Sequence, residues 1–270
     1  MNRVKIGYAQ FCPEFGNRVA NLAKVQKMVK DGGNADLLVF AELGVSGYDF
    51  RDREELISLA EPFDGGPTSL ALIELAEEYS ISLIIGYPEV SGEKVYNSCM
   101  LVTPDGKKYN YRKTHLFSRE TLIFDAGDAP PPVISTPAGK IGLMICFDWV
   151  YPEIARLLTL AGAQIIAHPS NLVLQFCQKA MFARSVENGV FTITANRIGT
   201  EDRAGRSLTF TGASQVLDPK GNILAQAPDD EEHLAIIEVD LSRADDKFLT
   251  EHNHLLEGRR VDLYSGLVNL

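Results

Sequence analysis

Short apolar runs that alternate with helix-like stretches set the tightest limit on what this chain can become. Leu37–Glu42, Ile81–Tyr87, Lys140–Cys146, Ala163–His168 and Val190–Asn196 are brief for buried helices and read as strands. Val4–Phe11 reads as the first strand and Leu234–Val239 as the last. Between them, Arg18–Lys30, Ser69–Tyr79, Pro152–Ala161 and Lys179–Asn188 read as helices, the first closed by Asp31-Gly32-Gly33. Hairpins are predicted where Pro104-Asp105-Gly106 joins Asn97–Thr103 to Lys107–Arg112 and where Pro137-Ala138-Gly139 joins Val133–Thr136 to Lys140–Cys146. A third joins Gly212–Leu217 to Asn222–Ala225 across Asp218-Pro219-Lys220-Gly221. This mixture predicts an α/β fold with a mixed sheet, or two sheets, and helices outside. The order strand–helix–strand–helix–strand–hairpin recurs loosely in both halves, which hints at internal pseudo-symmetry.

A chain of 270 residues is long enough to bury about three quarters of its unfolded surface. Its net charge of −10 argues against nucleic acid, whose phosphates need a basic footprint, and disfavours anionic membrane surfaces. No window approaches the length of an apolar membrane span, and the N-terminus has no signal-like core. The four cysteines, Cys12, Cys99, Cys146 and Cys177, are scattered without a paired framework, which predicts free thiols in a reducing, cytoplasmic setting.

Three of the strand-like segments end in a reactive group. Glu42 follows Leu37–Ala41, Lys113 follows Lys108–Arg112, and Cys146 closes Lys140–Ile145. A carboxylate, an ammonium and a thiol delivered in this way supply a base, an electrophile and a nucleophile to one pocket. Each has an ordinary alternative: a buried core cysteine, a capping glutamate, a solvated basic turn. The polar stretch after Cys146 reads as a helix start, whose backbone N–H groups stabilise a thiolate.

The segments Phe40-Ala41-Glu42-Leu43 with Gly47-Tyr48, Tyr111–Phe117, and Gly142–Asp148 resemble the signature blocks of the nitrilase superfamily of carbon–nitrogen hydrolases, in that family's order. Glu120 with Phe124 and Gly127, Tyr151-Pro152-Glu153, His168-Pro169-Ser170-Asn171 and Arg184–Asn188 add to the resemblance, which covers about residues 4–240. It implies a single domain over 1–270, built as a four-layer α-β-β-α sandwich of two mixed sheets flanked by helices. It also implies a homodimer or higher homo-oligomer in which the tail, 241–270, packs on a partner subunit. Glu42 is then the base, Cys146 the nucleophile that forms a thioester, and Lys113 with the Phe147 N–H the receivers of oxyanion charge. Glu120 matches the second glutamate that holds Lys113. No cofactor and no metal are implied.

Other readings of the same residues remain. His168 closes an apolar strand and forms a conceivable thiol–imidazole pair with Cys146, which leaves Glu42 and Lys113 idle. His252-Asn253-His254 lacks metal-ligand company. Asp64-Gly65-Gly66-Pro67 and Ala126-Gly127-Asp128 lack phosphate-cradle spacing. A non-catalytic interaction protein on the same fold predicts an eroded triad, whereas all three members are present. Tyr48, Phe147, Trp149, Asn171 and Val173 adjoin the triad segments and are expected to line the pocket. Branches that act on N-carbamoyl amino acids carry arginine soon after the cysteine, where this chain has Trp149 and Val150, although Arg197 or Arg203 can approach from elsewhere. True nitrilases tend to carry Trp-Glu where this chain has Phe147-Asp148. The expectation is a small, largely uncharged amide or carbamoyl substrate. Small nitriles are the alternative, because compact members with a similar Cys-Phe-Asp-Trp stretch act on them.

Overall fold

In the computed structural model, which describes residues 3–267, the strands assemble into two six-stranded mixed sheets. The first is made by β1 (Arg3–Gln10), β2 (Leu37–Val39), β3 (Ser82–Ser91), β4 (Lys94–Val102) and β5 (Lys108–Arg112), with a late strand on the far side of β1. The second holds β6 (Val133–Thr136), β7 (Gly139–Leu143), β8 (Ile165–Pro169) and β9 (Phe191–Ala195). A separate two-stranded hairpin, β10 (Thr200–Arg203) with β11 (Arg206–Thr209), precedes β12 (Gln215–Leu217) and β13 (Ile223–Gln226), which complete the second sheet. The late strand of the first sheet is β14 (His233–Asp240), antiparallel to β1.

The sheet orders are β14-β1-β2-β3-β4-β5 and β6-β7-β8-β9-β12-β13. In each, three parallel strands are flanked by one antiparallel strand on one side and an antiparallel pair on the other. The loose repeat in the sequence is therefore a repeat of topology.

Strand alternation explains the layering. Val4, Ile6 and Tyr8 of β1, Leu37 and Val39 of β2, Ile84 of β3 and Leu101 of β4 share one core with Ile141, Leu143, Ile165 and Ile193 of the second sheet. Their neighbours Ala9, Leu38, Leu83, Ile85 and Met100 point the other way, against Val25, Met28 and Val29 of α1 (Arg18–Asp31) and Leu72, Leu75 and Ala76 of a later helix, Pro67–Tyr79. That helix is α3, because a short α2 (Arg53–Leu59) intervenes. A four-residue α4 (Glu120–Ile123) follows β5. On the far side, α5 (Pro152–Leu160) lies so close to β7 that a Cβ on Gly142 would meet Leu158 at 3.0 Å. Helix α6 (Cys177–Asn188) adds Met181 to the core. The result is the four-layer α-β-β-α sandwich.

Several boundaries differ from the expectations. The run Lys140–Cys146 leaves the ladder at Leu143, and Cys146 begins a 3-10 turn, Cys146–Val150, rather than an α-helix. Likewise Leu37–Glu42 stops pairing at Val39. Both expectations overran for one cause: the chain stays buried beyond the ladder, with Met144 and Ile145 fully shielded, so hydrophobicity does not mark where the strand ends. Helix α2, the β10–β11 hairpin and the β3–β4 turn at Gly92 (φ +62°) have no counterpart in the sequence reading.

Among the described residues no helix is long and apolar enough to cross a membrane. The tail is held near its start, where Lys247 Nζ donates to the carbonyls of Asn188 and Gly189 at 3.0 and 2.8 Å. Further on it exposes Val261, Leu263 and Leu267, while Val268 of the same tail lies outside the described residues.

Candidate active site

Cys146 sits three residues past β7 with φ +39°, a left-handed backbone that costs a residue with a Cβ about 1–2 kcal/mol. The turn around it is tied at both ends. The Ile145 N–H donates to Asp148 Oδ2 at 2.9 Å and the Asp148 N–H returns to the Ile145 carbonyl at 3.0 Å. His168 Nε2 lies 2.9 Å from the Cys146 carbonyl oxygen. Burial pushes the thiol well above its usual pKa and Glu42 adds to this, while Lys113 and the Asn171 backbone N–H work against it.

Glu42 lies in the turn after β2 and is completely buried. Gly86 of β3 makes room for that turn: its N–H donates to the Ala41 carbonyl at 3.0 Å, and a Cβ there would come within 2.7 Å of the Glu42 backbone. Glu42 Oε1 accepts from Lys113 Nζ at 2.6 Å and from Asn97 Nδ2 at 2.7 Å, whereas its Oε2 is buried without a partner among the described residues. Burial raises the Glu42 carboxyl, Lys113 pulls it down, and Glu120 pushes it up again; the net shift is upward.

Lys113 follows β5, with its N–H on the Asn97 carbonyl at 2.8 Å. Its ammonium is fully buried and bridges two carboxylates, Glu42 and, at 2.9 and 2.8 Å, both oxygens of Glu120. Burial disfavours that charge, but Glu120, Glu42 and Cys146 outweigh it and hold the proton well above the usual lysine range. Glu120 is fixed in turn by the Tyr48 hydroxyl at 2.6 Å and the Phe117 N–H at 3.1 Å.

Asp148 joins the thiol turn to the lysine loop. Besides Ile145 it accepts from Tyr111 OH at 2.9 Å and lies 2.8 Å from His115 Nδ1, and the His115 ring stacks on Tyr151 with centroids 3.8 Å apart. Arg184 holds the far end of the turn through the Trp149 carbonyl at 3.0 Å.

The structure thus gathers Glu42, Lys113, Glu120 and Tyr48 into one buried network whose charges act on Cys146. Asn171 belongs beside it: its backbone helps to stabilise the thiolate form, and its side-chain Nδ2 and Oδ1 are both buried without partners among the described residues. Phe147 forms an aromatic wall with Phe117 and Tyr151, at 5.1 and 5.9 Å between centroids. Trp149 is buried in the same apolar cluster as Cys146, with its ring crossing that of Phe176 at 75° and 5.7 Å between centroids. Tyr48 spends its hydroxyl on Glu120. Arg197 and Arg203 do not reach the site as free cations, since Arg197 pairs with Glu201 and Arg203 with Glu55.

His168 cannot serve as the base for Cys146. Its ring is bonded to the backbone carbonyl of that residue and to Thr194 at 3.2 Å, and burial lowers its pKa to about 4. No cluster of metal-ligand side chains occurs among the described residues. Asn97, Asp148 and Glu201 escaped the sequence reading. Asn97 was visible only as the start of an expected strand, and Asp148 only as the end of a family-like block and as a departure from the Trp-Glu of true nitrilases, with no role attached.

Fold and site together make this a four-layer sandwich carrying a buried Glu–Lys–Glu network whose charges act on a buried free thiol. The chain matches the family model for carbon-nitrogen hydrolases over residues 5–246. It is 38% identical over 263 residues to a protein of Pyrococcus abyssi described as a nitrilase, covering 97% of this chain and 99% of that one. An (R)-stereoselective amidase of a Pseudomonas species is 32% identical, with 96% and 95% covered. Among solved structures, a carbon-nitrogen hydrolase of Helicobacter pylori superposes with a TM-score of 0.89 at 26% identity, over 100% of this chain and 99% of that one. The chain belongs to the carbon-nitrogen hydrolase family, the nitrilase superfamily, and is an enzyme of that kind.

Proposed function

We propose that this enzyme hydrolyses a small, largely uncharged amide or carbamoyl compound through a thioester on Cys146. One observation carries this reading: Glu42 has one oxygen fixed by Lys113 and Asn97 and the other, Oε2, buried and unpartnered among the described residues, while its charge acts on a thiol that burial keeps protonated. A thiol so placed needs a base at the moment of attack, and a carboxyl raised toward neutrality suits that task.

The thiol proton passes to Glu42 as sulfur bonds to the carbonyl carbon. The charge that forms on the carbonyl oxygen is received by the Lys113 ammonium and the Phe147 N–H; losing one such donor typically costs about 10²–10³ in rate. Glu42 then protonates the leaving nitrogen, the C–N bond breaks, and ammonia or an amine departs. Water, deprotonated by the same carboxylate, attacks the thioester, and the acid leaves as the thiol recovers its proton. Glu120 keeps Lys113 charged and in place.

Two features support an uncharged amide. Among the described residues the Asn171 carboxamide has one unpaired acceptor and one unpaired donor group, and a primary amide answers both. The nearby arginines are already paired, so they offer no grip for an anionic group. The identity to the Pyrococcus abyssi protein favours a second reading, a small nitrile, which presents no N–H to Asn171. Ammonia release from short aliphatic amides, N-carbamoyl amines and dinitriles, with Cys146→Ala as control, tests both. Equal release by the substituted protein removes the thiol mechanism. Asn171→Leu should lower amide turnover by about tenfold or more while sparing nitriles. Preference of the wild type for dinitriles over every amide reverses the ranking.

We infer further that the chain is one domain acting in the cytoplasm as a homodimer or larger homo-oligomer. The exposed Leu157 and Leu160 of α5, Phe182 of α6 and Leu263 of the tail support a partner contact, and four free thiols support a reducing setting. A fully active monomer in sedimentation would remove the assembly part.

A further inference from the structure

The β10–β11 hairpin belongs to neither sheet, yet it grips the loop that carries Tyr48. We propose that Glu201 is a positioning residue: its buried carboxylate, held by the Tyr48 and Asp49 backbone N–H groups, sets the Tyr48 hydroxyl on Glu120 and, through Glu120, fixes the Lys113 ammonium. Both Glu201 oxygens lie 3.2 Å from the Tyr48 nitrogen, and Oε2 lies 2.7 Å from that of Asp49. Two successive N–H groups on one carboxylate form an anion nest. Gly47, at φ +83°, allows it, since a Cβ there would meet Phe15 at 2.8 Å and Glu201 Oε1 at 3.1 Å.

The other side of Glu201 is closed by Arg197, 1% exposed, in a buried ion pair. The Arg197 guanidinium lies 4.0 Å from the Phe210 ring centre, and Phe210 packs edge-on against the Tyr48 ring at 5.9 Å. Backbone and ring of Tyr48 are thus clamped by the same ion pair. Arg206 of β11 adds a second tie, to Asp49. From the clamp, hydrogen bonds run without a gap from Tyr48 OH to Glu120 at 2.6 Å, from Glu120 to Lys113, and from Lys113 to Glu42 at 2.6 Å. A buried carboxylate is costly where it only packs; here it fixes where a distant hydroxyl points.

This inference rests on the proposed hydrolase reading, and its test separates the two. In the full-length chain, Glu201→Gln should lower kcat on propionamide by about tenfold and leave KM within about twofold, because Lys113 acts on charge that exists only during reaction. Tyr48→Phe should have a similar effect. The double variant should be no slower than the slower single one, since both cuts fall in one chain of bonds. The same variants should slow alkylation of Cys146 by iodoacetamide, read by intact mass, by a common factor. Should the wild type turn over no amide, the hydrolase reading fails and the alkylation arm alone decides the positioning. If Glu201→Gln does not fold, Arg206→Gln loosens the same loop from a half-buried position and should give a smaller loss, again non-additive with Tyr48→Phe. Losses that multiply in the double variant, or a raised KM at constant kcat, or a lower Tm with unchanged rates, would overturn the proposal.

Discussion

Replacing Lys113 by methionine takes away a cation that two buried carboxylates share. The wild-type ammonium is fully buried, 2.6 Å from Glu42 and 2.8 Å from Glu120, themselves 0% and 4% exposed. Removing one member of a buried ionic group leaves uncompensated charge and costs about 3–5 kcal/mol. At about 2–4 °C per kcal/mol for a chain of this size, Tm should fall by about 6–20 °C near pH 8. The deficit should depend on pH. Burial already raises the Glu42 carboxyl, and Lys113 is the charge that restrains the rise. A carboxyl raised in the folded state contributes stability that is complete below its unfolded pKa and lost as pH rises through the folded one. Without Lys113 the folded value climbs further, so the deficit should grow from about pH 5 upward and shrink as pH falls toward the unfolded glutamate value of about 4.3. Thermal melts of wild type and Lys113→Met between those limits measure this. The triple variant Lys113→Met, Glu42→Gln, Glu120→Gln should regain most of the loss, because no unpaired charge remains. An equal deficit at all pH values, or a triple variant no more stable than the single one, would refute the reasoning.

Asp148→Asn removes the charge that accepts from Ile145, Tyr111 and His115; it should cost about 2–4 kcal/mol in a urea melt and slow turnover, since the thiol turn and the lysine loop lose their common anchor. His168→Gln should leave the pH profile of kcat/KM above pH 5 unshifted, because a histidine with a pKa near 4 is already neutral there. A limb that vanishes in this variant would restore the thiol–imidazole reading.

Glu42, Lys113 and Cys146 were legible because each follows a strand-like segment, and a reactive group in that place is visible in one dimension. The repeat of topology was visible for the same reason: strands, helices and hairpins leave periodic or turn signals. The ends of the strands before Glu42 and Cys146 were not visible, because burial continues through both turns after the regular ladder ends. Glu201 was invisible for another reason. Its hairpin is polar and short, and its partner Tyr48 lies 153 residues away, so nothing local marks the contact.

The two sheets divide the labour unequally. Acid, amide and ammonium all hang from the N-terminal repeat, whereas the sulfur arrives on the C-terminal one, across the seam where Val39 and Ile84 meet Ile165 and Ile193. On the proposed mechanism neither repeat owns a working centre by itself. Slippage along that seam should then disarm the protein even when both halves keep every strand intact, with loss of turnover as the earliest sign that the layers have begun to part.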